Sequence, residues 1–131
     1  MIDGIEKHYH AIAAEILKIA PSNQTLAIVG VEMTEDHEAV GLYFRTPDGN
    51  YFIRTGDDVL QVAETFRELR GAFTSAHMEP WSTATFRLSP AGKMSLDLGY
   101  EDISDLALWF EREQQWRDRE LGAGAKIVGT S

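Results

Sequence analysis

Residues 83–99 read TATFRLSPAGKMSLDLG, and this stretch decides the fold class. Ala84, Phe86 and Leu88 alternate with polar neighbours, SPAG supplies a tight turn, and Met94, Leu96 and Leu98 alternate again after it. Two half-buried strands joined by a short turn form an antiparallel hairpin, because only an antiparallel pair can be closed by so few residues.

Working outward toward the N-terminus, Val59, Val62, Phe66, Leu69 and Phe73 step by three and four residues, which predicts a helix from a cap at Asp57 or Asp58 to about Met78, ended by Pro80. Before it, YFIRT, the alternating Val40, Leu42 and Phe44, and the β-branched TLAIVGVEM predict three strands, the first two linked by EMTEDHE and the last two by the turn TPDGN. Ile5, Tyr9, Ile12 and Ile16 give one apolar face to a first helix spanning Asp3 to Ala20, with Asp3 as its cap. A last helix is expected from about Ser104 to Leu121, with Leu106, Trp109, Phe110 and Trp116 as its apolar stripe.

The order is α-β-β-β-α-β-β-α. Strands in two runs without βαβ alternation imply an α+β fold, with an antiparallel sheet of about five strands and three helices. A chain of 131 residues suits one domain, expected over 1–121 and followed by a flexible C-terminal tail over 122–131. No apolar run is long enough to span a bilayer and the N-terminus lacks a signal-peptide pattern, so a cytoplasmic protein with no membrane contact is expected. The absence of cysteine rules out disulfides and thiol chemistry.

The formal charge is −9, from 12 basic and 21 acidic residues, which argues against direct nucleic-acid binding and for a basic partner. Residues 32–38 contribute Glu32, Glu35, Asp36 and Glu38, and residues 94–105 contribute Asp97, Glu101, Asp102 and Asp105, with no Lys or Arg in either segment. The remaining 13 acids nearly balance the 12 bases, so two short segments carry almost all the net charge.

Signals for catalysis are sparse. The chain has no GxGxxG, no GxxxxGK[ST] and no GxSxG, and Ser75, His77 and Glu79 make no recognisable triad. His8 and His10 point about 200° apart on a helix, so they cannot share a metal. Asp97, Glu101, Asp102 and Asp105 could pair carboxylates for acid–base work or a divalent ion, but they lack the ordered spacing of a calcium loop. Asp102, Ser104 and Asp105 also suit capping of the last helix. No cofactor, metal or catalytic residue is assigned.

ELRGAF at 68–73, PWSTATFRLSPAGKMSLDLGYED at 80–102 and the helix through Trp116 resemble the YezG-like family of bacterial immunity proteins, whose pattern is similar to W..ATF.L...GKF.IDF.YED. The likeness runs from about Asp58 to Leu121 and is densest over Pro80 to Asp102. Trp81, Phe86, Gly92, Lys93, Asp97, Tyr100, Glu101 and Asp102 occupy the motif positions; Trp81, Phe86, Gly92, Lys93 and Trp116 are expected to be structural. The resemblance implies a non-enzymatic antitoxin that binds and neutralises a polymorphic or contact-dependent toxin domain, commonly a nuclease. With the charge pattern, it makes Glu32, Glu35, Asp36, Glu38, Asp97, Tyr100, Glu101, Asp102 and Asp105 the expected toxin-binding residues. A carboxylate-based metal-dependent enzyme, and a homomeric module using strand edges or Trp109 and Trp116, stand as alternatives.

Overall fold

The structure is a computed structural model and describes residues 4–130. A helix α1 (Ile5–Ile19) leads into β1 (Leu26–Met33), β2 (Glu38–Arg45) and β3 (Tyr51–Arg54). Helix α2 (Asp57–Ser75) separates these from β4 (Thr83–Leu88) and β5 (Met94–Gly99). A single 3-10 turn (Leu106–Leu108), α3 (Trp109–Glu120) and β6 (Ile127–Thr130) complete the chain.

The two expected strand runs become one sheet in the order β5-β4-β1-β2-β3-β6, because β1 and β4 pair antiparallel with Val29 opposite Phe86. Every pair is antiparallel except β3 with β6, which is parallel. The α+β class and element order are as the sequence predicts, and the sheet has six strands rather than about five. The sixth comes from the segment beyond 121. Its four residues carry too little alternation to register as a strand, and the edge of β3 supplies the backbone partners that local sequence does not, as where Tyr51 N–H donates to Lys126 O at 2.9 Å.

Alternation sorts the strand side chains onto two faces. Ala27, Val29, Val31, Leu42, Phe44, Ala84, Phe86 and Leu88 face α1 and α2 and form the main core with Ile12, Ile16, Val62, Phe66 and Leu69. Phe66 meets Trp81 and Phe86 edge to face, with centroids 6.4 and 6.3 Å away. Trp81 and Phe86 are completely buried, Gly92 sits in the β4–β5 turn at φ 89°, and exposed Lys93 donates its backbone N–H to Ser89 Oγ at 3.0 Å.

The helix termini differ from the sequence reading. Asp3 lies outside the described residues, and Gly4 occupies the N-cap of α1. Neither Asp57 nor Asp58 caps α2: Gly56 holds that position, and both acids lie in the first turn, where their charge complements the helix dipole. α2 ends earlier than Met78, at Ser75, in a Schellman closure: Met78 N–H donates to Phe73 O and His77 N–H to Thr74 O, with His77 at φ 59°.

Candidate functional site

The second face of the sheet is crossed by α3. The helix can approach closely because Gly30 presents no side chain: a Cβ there would lie 2.6 Å from two indole carbons of Trp116. Trp116 Nε1 donates to Thr85 Oγ1 at 2.9 Å, and its ring lies 5.6 Å from that of Tyr43. Arg117 Nε donates to the Tyr43 hydroxyl at 2.9 Å with its guanidinium over the ring. Burial pushes the Tyr43 phenol above its ordinary pKa, against the Arg117 hydrogen bond. Leu121 closes the far end against Ile28, Tyr43 and Tyr51.

The near end is held by charge. Arg112 donates to both carboxylate oxygens of Glu32, at 2.6 and 3.0 Å, and to the carbonyls of Asp105 and Ile103. The Glu32 hydrogen bonds outweigh desolvation and push the guanidinium above its usual range. Between the helix and the small residues Gly30, Ala39 and Gly41 runs a groove of about 290 Å³, also lined by Trp109, Trp116 and Glu113. The apolar stripe expected for this helix is therefore only half realised: Trp109 and Trp116 face the groove, whereas Leu106 and Phe110 are exposed, and α3 buries no residue fully. A short 3-10 turn replaces its expected first turn, which rotates Leu106 out of the register that one continuous helix would impose.

The two acidic segments come together. β1 ends at Met33 opposite Glu38, and Thr83 at the start of β4 pairs with both Glu32 and Gly99. The loop after β1 and the segment leaving β5 therefore emerge from the same end of the sheet. Ser82 ties the second segment down by donating Oγ to Glu101 O at 2.6 Å, while Met33 N–H donates to Ser82 O at 2.9 Å.

Within this acidic end the expected residues have different surroundings. Glu32 turns inward to Arg112, and Glu38 pairs with Arg67 at 2.9 Å. Arg67 also donates to the carbonyls of Thr34 and His37, fastening the loop to α2. Glu35 and Asp36 are exposed, as are Tyr100, Glu101, Asp102 and Asp105. Asp102 accepts from Ser104 N–H at 2.9 Å, and the Ser104 hydroxyl and amide together hold its carboxyl below the usual range. Asp105 caps the 3-10 turn by accepting from Ala107 N–H at 3.0 Å. Asp97 sits apart on β5, exposed and 3.8 Å from Arg87, which pairs more tightly with Glu120 at 2.6 Å.

Among the described residues, no three His, Asp or Glu side chains are placed to hold a metal ion, and no helix is long and apolar enough to cross a membrane. Local reading missed Arg112, Arg67, Tyr43, Thr85 and the buried Ile103, whose roles depend on distant partners. Gly30 alone carried a usable signal, since glycine inside a strand marks close approach.

Fold and surface together define an α+β domain in which two acidic segments meet at one end of the sheet, with exposed apolar side chains following the second of them. The chain belongs to the YezG-like family of immunity proteins: the family model described as "Immunity protein YezG-like" matches residues 5–126. It is 29% identical over 129 residues to Immunity protein YezG of Bacillus spizizenii, covering 87% of this chain and 80% of that one. It is 28% identical over 129 residues to Immunity protein YezG of Bacillus subtilis strain 168, covering 87% and 85%. The family likeness extends well beyond the motif region at 58–121, through α1 and the first three strands.

Proposed function

We propose that this protein is an immunity protein that binds a cognate toxin domain, a basic nuclease, and neutralises it through the acidic end of the sheet. It acts without catalysis or cofactor, in the cytoplasm of the cell it protects. The observation that carries the reading is the convergence of two acidic segments, far apart in sequence, at one end of the sheet, with Glu35, Asp36, Glu101, Asp102 and Asp105 exposed there.

A nuclease must be cationic where it grips phosphate, so an acidic surface accelerates encounter with it and opposes its substrate. The local arginines reinforce this asymmetry. Arg67, Arg70 and Arg112 spend their donors on Glu38, the Trp81 carbonyl and Glu32, leaving the outward acids to set the field. Glu32 and Glu38 contribute to the negative potential while also holding the surface in shape.

The test is co-expression with the toxin domain encoded beside this protein, scored by cell survival. Wild type rescues growth, whereas the combined Glu35→Lys, Asp36→Lys, Glu101→Lys and Asp102→Lys variant, checked for an unchanged circular dichroism spectrum and melting temperature, loses rescue. Full rescue by that folded variant sinks the acidic-surface mechanism; no rescue by wild type sinks the pairing.

A further inference from the structure

We infer that the short apolar ridge formed by Leu106 and Phe110 is the anchor that enters an apolar pocket, rimmed by Lys and Arg, on the toxin domain. This rests on the immunity reading above and deepens it: the acids steer the partner, and the ridge holds it.

The ridge stands out because exposed hydrophobic side chains are ordinary when scattered and informative when clustered. The described residues expose eight large hydrophobics, and four of them, Tyr100, Leu106, Leu108 and Phe110, fall within eleven consecutive positions. Phe110 is 73% exposed and Leu106 57%. The fold does not bury them because α3 already commits its other side: Arg112, about 200° around the helix from Phe110, is held by Glu32, and Trp116 sits on Gly30. Trp109, next to Phe110 in the chain, lies edge to face with it, with ring centroids 6.4 Å apart.

Charge complementarity selects the occupant. Asp105 and Glu111, which flank the ridge residues in the chain, are exposed, as are Glu101 and Asp102 just before them, while Arg112, the base nearest in sequence, points into the sheet. Apolar anchors inside a charged rim match the anatomy of a specific interface, in which a few buried aromatic residues carry most of the affinity and the rim sets its salt dependence. A second copy of this chain would bring the same acids against themselves, so a basic partner is favoured.

Titration of a catalytically inactive form of the adjacent toxin domain tests this. Phe110→Ala is expected to weaken binding by at least about thirtyfold, the hot-spot range. It should leave the melting temperature and the slope of affinity against salt unchanged. Leu106→Ala should weaken binding less, and Leu60→Ala, exposed on α2, not at all. Affinity that stays within about twofold of wild type in the Leu106→Ala, Phe110→Ala double variant overturns the ridge while leaving the immunity reading standing. The ridge is equally overturned if Phe110→Ala abolishes self-association and leaves toxin binding intact. Absence of wild-type binding removes both.

Discussion

Gly30→Ala is the smallest change that tests how α3 is seated. The added methyl would meet Trp116 Cε2 and Cζ2 at 2.6 Å and Cδ2 at 3.1 Å. Ordinary carbon contacts lie near ~3.5–4.0 Å, so the indole must retreat by about 1 Å. Forcing a methyl into a filled contact costs about 1–3 kcal/mol. Losing the Nε1 hydrogen bond to Thr85 costs about 1 kcal/mol more. Replacing glycine inside a strand returns about 0.5–1 kcal/mol of conformational entropy. The steric and hydrogen-bond losses win, leaving a net destabilisation of about 2 kcal/mol, or a Tm about 6–10 °C lower for a chain of this size. Thermal unfolding gives the magnitude, and the Trp116 indole N–H resonance reports whether the ring has moved. In a Trp116→Ala background the same glycine replacement should be neutral or slightly stabilising, because the obstacle is gone. If Gly30→Ala alone is as stable as wild type with an unmoved indole resonance, the close approach of α3 to the sheet is wrong.

Three further outcomes follow from the same contacts. Arg112→Ala leaves Glu32 without its bidentate partner at side chains only 15% and 16% exposed; urea unfolding should show a loss of about 2–4 kcal/mol, and Arg112→Lys should recover only part of it. His77→Gly relieves a left-handed residue at the end of α2, and although glycine gains freedom in the unfolded chain, stability should rise by about 0.5–1 kcal/mol in the same assay. Tyr43 has a folded pKa above its unfolded value near 10.0, so the stability linked to its neutral phenol is intact below pH 10 and declines as pH rises through the interval up to the folded value. The fall in Tm between pH 9 and 11 should therefore be shallower in Tyr43→Phe than in wild type, and an equal fall contradicts the buried phenol.

What the sequence made legible was the part of the fold written in local period. α2 could be read from Val62, Phe66 and Leu69 because the same side chains that set the helical spacing also enter the core. The β4–β5 hairpin was readable for the corresponding reason, with Phe86 and Leu88 inward and the turn at Gly92. The rest is held by partners remote in the chain. Glu32 looks like one acid of an unopposed cluster until Arg112, 80 positions away, is brought to it. The weakly patterned Ile127–Thr130 becomes a strand only because β3 offers an open edge. Leu106 and Phe110 obey helical spacing and belong to the apolar stripe that the sequence predicts, but periodicity records which residues share a face and not whether anything covers it. The acidic end was half legible: its charges are in the sequence, and their convergence follows from the β1–β4 pairing.

The most direct measurement is a binding isotherm of the purified protein with the inactive toxin domain encoded beside it, repeated from low to high salt. A saturable one-to-one complex is expected, with an affinity that falls steadily as salt rises yet persists at high salt through the Phe110 ridge. No complex at low salt, or an affinity indifferent to salt, would contradict it.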